Sequence, residues 1–264
     1  MDERKHSEAG AIHIASAGHA SFAVIMIALG LQGFIKGDFT AVWQAVPNGV
    51  PAREVLIYLC ASISLASGIG LLWRRTANLA AGVLLAFFML WLLTWKVRAL
   101  FVLPLVDGAW SCGESLAMMA AAWVLYAAFA TAWERQHLGF VTGEKGMRVA
   151  RVLYGLALIP FGYAHFGYLK HTADMVPGWL PGHYAWAYFT GATFFAASLA
   201  ILFGVFAWLA AALSTLQMGL FGLLVWVPIL AGGHPSAFQQ AEVATTLALT
   251  AAGWVVADSY RSTR

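Results

Sequence analysis

The 264-residue chain carries the same proline-bounded segment twice: Pro47 and Pro51 return 130 residues later as Pro177 and Pro181. The register holds beyond the prolines. Thr76-Ala77-Asn78-Leu79-Ala80-Ala81 aligns with Phe206-Ala207-Trp208-Leu209-Ala210-Ala211, keeping Ala, Leu, Ala and Ala in place, and Glu114 meets Glu242 with a two-residue slip. A Pro-x-x-x-Pro loop, a small-residue helix start and a lone acid, recurring in one order, imply duplication of a single unit. The repeat limits the fold severely, because each element of the first half needs a counterpart in the second.

Composition decides what the unit is made of. With 61% hydrophobic and 10% charged residues, the chain lies far from soluble globular averages. Apolar stretches near the roughly 20 residues that cross a bilayer core predict spans at 12–34, 54–73, 77–95, 112–132, 149–169, 185–203, 207–230 and 241–259. The expected fold is therefore all-α: a polytopic membrane protein with eight transmembrane helices arranged as two parallel four-helix repeats, residues 1–133 and 149–264. Arg4 and Lys5 precede the first span as they would a secretory signal. That span is longer than a signal's apolar region and carries His13 and His19, so it is read as a permanent helix.

Orientation follows from basic residues. With the N-terminus inside, the inner segments hold Arg4, Lys5, Arg74, Arg75, Arg135, Lys145, Arg148, Arg151, Arg261 and Arg264, against Lys36, Arg53, Lys96, Arg98 and Lys170 outside. This bias places both termini in the cytoplasm and the protein in the plasma (inner) membrane. Four spans per copy set both copies the same way up, with a pseudo-twofold axis along the membrane normal. The net charge of +3 reflects the inner collar facing lipid head groups, and no basic groove suggests nucleic acid. Cys60 and Cys112 form neither a disulfide framework nor a CxxC motif.

Polarity gathers on the outer side of the second repeat. Its first loop, KHTADMVPGWLPGHYAW, collects Lys170, His171, Asp174 and His183, whereas the first repeat has KGDFTAVWQAVPNGVP. His165 and Tyr168 end the preceding span. The linkers before the fourth and eighth spans read as short re-entrant or surface helices, since irregular backbone at such depth must be buried or line a wet cavity. They deliver Glu114 and Glu242 to the first turn of the next helix. There a carboxylate complements the helix dipole, and Ser111 forms a capping box with Glu114. The competing reading is that His165, Tyr168, Lys170, His171, Asp174, His183, His234, Glu242 and Glu114 surround an outer ligand pocket, because acids in the membrane are costly and usually face an interior. No His-x-x-His or His-Glu pair has fixed helical spacing, so no metal is assigned.

The run FGYAHFGYLKHTADMVPGWLPGHYAWAYFTGATFFAASLAILFGVFAWLAA (161–212) resembles the DoxX-like membrane family, with Thr190-Gly191-Ala192 opening one helix and Leu209-Ala210-Ala211 the next. The first repeat keeps the prolines, Gly68-Ile69-Gly70-Leu71 and Leu79-Ala80-Ala81 but has no tryptophan between its prolines. The resemblance implies four-helix membrane units, some relatives of which serve quinone-dependent oxidation of sulfur compounds or oxidative-stress complexes. It carries over no catalytic residue. The leading expectation is a redox-associated subunit that binds a quinone or similar amphiphile at its outer face. The alternative is a non-enzymatic module that binds a lipid, or a membrane or periplasmic protein partner, or assists membrane-protein assembly. A transporter is the weakest class, because no span is broken by Gly-Pro at mid-membrane.

Overall fold

The computed structural model describes residues 12–44 and 46–261; Arg4, Lys5 and Arg264 of the orientation count lie outside them. Helices account for the described architecture, and no β-strand forms among those residues. In chain order the helices are α1 (Ala17–Lys36), α2 (Arg53–Leu71), α3 (Ala77–Val102), α4 (Leu105–Phe129), short α5 (Ala132–His137), α6 (Gly143–Gly167), short α7 (Leu169–Asp174), α8 (His183–Phe203), α9 (Ala207–Ala231) and α10 (Ala237–Ser259). Seven of them, α1 to α4, α6, α8 and α9, are long and apolar enough to cross a membrane. The chain is thus an all-α, polytopic helical bundle suited to a lipid bilayer.

Boundaries recur at one spacing. Helices α2 and α8 begin 130 residues apart, as do α3 and α9, and each of the latter pair is interrupted by a π-helical turn, Leu92–Lys96 and Gly222–Trp226. Backbone conformation recurs too. Ala52 at φ 56° and Gly182 at φ 73°, each just after the second proline, both start the next helix from the left-handed region. That conformation is easy for glycine and costs alanine about 1 kcal/mol.

Consecutive long helices pack in turn, from α1 on α2 through α3, α4, α6, α8 and α9 to α10, and α10 then closes on α1. Helix α4 meets α10 across this ring. Two thirds of the apolar window of α4 is buried inside the protein, against 28% for α9, so α4 lies at the centre and α9 turns most of its surface outward. Leu209, Leu213, Leu216, Leu220 and Leu223 of α9 are all exposed, a patch that suits contact with lipid tails rather than water.

Polar contacts pin the ring at both ends. At one end the Gly18 N–H donates to the Asp258 carboxylate at 2.9 Å, and His19, fully buried, donates Nε2–H to the Leu71 carbonyl at 2.9 Å. There too the Arg151 guanidinium lies 4.1 Å from the Tyr260 ring centroid, a cation–π pair between the start of α6 and the end of α10. At the other end Lys36 Nζ donates to Gln240 Oε1 at 3.2 Å. Helix α10 therefore runs antiparallel to α1 along its whole length.

Two local expectations change. The linkers before α4 and α10 are not re-entrant helices: α3 and α9 continue through their π turns, and Pro104 forces only a brief break before α4 starts at Leu105. Glu114 is consequently three turns inside α4 and caps nothing. At α10 the capping box belongs to Ser236 and Gln239, leaving Glu242 free of that task.

Candidate functional site

The long loop of the second half forms the rim of a cavity. Helix α6 ends at Gly167, α7 turns the chain across the bundle, and Pro177 to Gly182 lead back into α8. Beneath it lies a cavity of about 1110 Å³ walled by α6, α8, α9 and α10, with Asp107 and Trp110 of α4 reaching it. Its surface is mostly aromatic and aliphatic: Phe161, Phe194, Met218, Phe221, Val225, Trp226 and the rim residues Met175, Val176, Trp179 and Leu180 contribute. The polar minority comprises Asp107, His165, Tyr168, His171, Thr172, Thr190, Thr193, Ser214, Gln217, Glu242, Thr245 and Thr246. A largely apolar pocket with a few placed polar groups is the usual form of a small-molecule site.

Several polar groups are oriented by the protein. His165 donates Nδ1–H to the Phe161 carbonyl at 2.8 Å and lies against Phe194 with ring centroids 5.3 Å apart, so Nε2 is the ring's remaining hydrogen-bonding atom. The Gln217 amide is clamped to α8: Oε1 accepts from the Thr193 hydroxyl, and Nε2–H donates to the Thr190 carbonyl at 3.1 Å. Ser214 shares a hydrogen bond of 3.2 Å with the Tyr154 hydroxyl, and Trp226 donates to Thr246 at 2.9 Å. Glu242 is different. It lines the cavity, and no hydrogen bond to its carboxylate forms among the described residues.

The sequence-derived candidates separate into three groups. His165, Tyr168, His171 and Glu242 share the cavity. Lys170, Asp174, His183 and His234 do not line it; Lys170 and Asp174 form an exposed i,i+4 ion pair at 2.7 Å, which holds the lysine pKa up and is worth little energetically. Glu114 stands behind the wall, hydrogen-bonded at 2.7 Å to Trp110 Nε1. Helices α6 and α10 meet only slightly and reach the cavity from separate positions, because α10 packs chiefly on α9, α1 and α4. Tyr168 donates to the Asp107 carboxylate, a bond that, with some help from burial, pushes its phenol up to about 12. It is a fixed donor and not a proton acceptor at physiological pH.

The first half is built differently at the same level. Trp43, in a single 3₁₀ turn (Ala41–Trp43), is fully buried. Its ring stacks on Phe88 at 4.7 Å and meets Phe87 and Trp91 edge-on at 5.3 and 5.4 Å. The indole donates to Ser64 Oγ at 2.9 Å, while the Trp43 carbonyl accepts from Trp91 Nε1 at 3.1 Å. Behind it lies Lys96, which the charge count places outside; its side chain is fully buried in the π turn of α3. The ammonium donates to the Gln44 carbonyl and, at 2.9 Å, to Ser111 Oγ, with Glu114 Oε2 at 3.9 Å. Cys112 donates to the Lys96 carbonyl at 3.0 Å, and both cysteines are free. A lysine amid apolar residues near a serine and a glutamate was a signal present in the sequence, obscured because α4 starts earlier than its hydropathy suggests.

Among the described residues no three His, Cys, Asp or Glu side chains gather as metal ligands. No protein-family model, curated protein or solved structure matches the chain.

Proposed function

We propose that the protein binds a membrane-soluble amphiphile, of the quinone or a similar class, in the cavity of its second half, as a DoxX-like membrane protein of two fused four-helix repeats. The observation that carries this reading is the cavity itself: apolar walls deep enough for a hydrocarbon chain, with His165, His171 and Glu242 near its rim loop and Gln217 along its wall. A redox-associated subunit and a non-enzymatic lipid-binding module share that binding step. What the purified protein retains separates them, quinone absorbance supporting the first and lipid or a partner protein the second.

The repeat reading is supported by the common 130-residue displacement of helix starts, π turns and left-handed caps. An eighth crossing by α10 is supported by its length of 23 residues, roughly 34 Å at 1.5 Å per residue, and by its contacts with both ends of α1. Its lower hydropathy then comes from Glu242, which faces the cavity, and Asp258, which is held by Gly18.

Glu242→Gln should weaken amphiphile binding about tenfold, since the carboxylate is a cavity acceptor no protein group occupies and charged hydrogen bonds are the stronger ones. Folding should persist, because Ser236 and Gln239 keep the cap. The check is titration of purified protein with decylubiquinol, whose ring hydroxyls can donate to the carboxylate, by tryptophan quenching. Unchanged affinity would remove Glu242 from the site.

Inner-membrane location with cytoplasmic termini rests on the basic-residue bias. It predicts that Gly178→Cys, in a protein lacking Cys60 and Cys112, reacts with an impermeant thiol reagent on intact cells. A side chain at Gly178 meets nothing within 4 Å, so the label site should not disturb the fold. Reaction only after lysis would invert the topology.

A further inference from the structure

The two halves place the same framework around different contents. In the first, Ser64, Phe87, Phe88 and Trp91 surround the Trp43 indole. Their counterparts 130 residues on are Phe194, Gln217, Met218 and Phe221, and all four line the cavity. The correspondence is secure over this stretch because α2 and α8, α3 and α9, and both π turns begin at that spacing. The counterpart of Trp43 itself is Ala173, which offers no ring. One half thus carries a planar aromatic group on its own loop, where the other has a cavity of matching walls.

We infer that this part of the cavity is a slot for the planar ring of a ligand, taking the place that Trp43 takes in the first half. This rests on the amphiphile-binding reading and narrows it to ring-bearing amphiphiles, aromatic or quinonoid, over acyl-chain lipids. Trp43 shows what the framework accepts: a flat group stacked on one side and met edge-on by two others, with polar contacts at its margin. In the second half Phe194 and Phe221 supply apolar faces. Gln217, in place of Phe87, brings a clamped amide to the slot's edge, with its second Nε2–H able to donate to a ring carbonyl oxygen. The substitution of an amide for a ring trades a packing partner for recognition of a polar ring substituent. A tail then follows the outward face of α9 past Leu216 and Leu213, which also line the cavity and are exposed toward lipid. Trp43 conversely seals the corresponding place in the first half, so the fused chain offers one ring site and not two.

The test uses the full-length protein in nanodiscs and two probes with the same ten-carbon tail: decylubiquinone, which has a ring, and decanol, which has none. Decylubiquinone should saturate at one molecule per chain and resist displacement by a tenfold excess of decanol. Gln217→Phe, restoring the first half's residue, should weaken it about tenfold. A photoreactive azido derivative should label peptides within 194–226 and none within 43–96. Trp43→Ala should raise the stoichiometry to two, with added indole returning it to one. Should that variant not fold, the labelling pattern in the unaltered protein decides alone. Equal displacement by decanol, or labelling confined to the first half, overturns the ring slot while leaving amphiphile binding intact. Failure of both probes to bind removes the broader reading as well.

Discussion

Replacing Lys96 with methionine should destabilise the protein by about 3–5 kcal/mol, the usual consequence of removing one partner from a buried ion pair. The ammonium has no solvent contact and serves three acceptors: the Gln44 carbonyl, Ser111 and, more distantly, Glu114. Without it the Glu114 carboxylate keeps only the Trp110 indole N–H, in surroundings where an uncompensated charge is very unfavourable. The Gln44 carbonyl also loses a donor, so the loop carrying Trp43 loosens. Glu114→Leu added to Lys96→Met should recover more than half of the loss, because an apolar pair of similar volume removes the stranded charge. Unfolding titrations in mixed micelles on the four proteins of this cycle measure the coupling directly. Additive single effects would mean that the two residues do not act as a pair.

Gly68→Val should have an effect at least as large, preventing α1 and α2 from docking. A β-carbon at Gly68 would lie 2.7 Å from the Ile27 nitrogen and 2.8 Å from the Ala23 carbonyl oxygen, and one at Gly30 would lie 2.5 Å from the Leu65 nitrogen. These neighbours are backbone atoms and cannot rotate away. Relief requires the helices to separate, which forfeits packing along the whole interface, and packing is the main term holding helices together in lipid. The loss should exceed the roughly 1–3 kcal/mol of ordinary overpacking. Yield of monodisperse protein and resistance to denaturant provide the measurement, with Gly178→Ala as a neutral comparison since that position faces open space. Normal yield and stability for Gly68→Val would show the crossing to be looser than its geometry.

The membrane class was legible in the residues because hydropathy is a local property: each apolar run reports its environment without knowledge of its neighbours. The proline loops were legible for a similar reason, as proline restricts its own backbone and that of the residue before it wherever it occurs. Local patterns failed where one helix ran into another. Pro104 looked like part of a long linker, yet α3 continues to Val102 and α4 begins at Leu105, which carried Glu114 from a helix cap to a buried partner of Lys96. Of the nine candidate side chains, four share the cavity, and titratable character alone could not sort them from the exposed Lys170–Asp174 pair.

The sequence by itself determined the helical, lipid-suited class and a 130-residue periodicity, since both arise from residue chemistry and spacing along the chain. Only the tertiary structure decided that α10 closes the ring on α1, that Lys96 is inside, and that Trp43 fills in one half what is a cavity in the other. Those outcomes depend on which surfaces meet. The two loops are nearly matched in length, yet one becomes a 3₁₀ turn that swings an indole inward and the other a short helix with Ala173 at the corresponding position. That difference in side-chain volume and loop path, set by neighbours distant in the chain, separates a packed core from a ligand site.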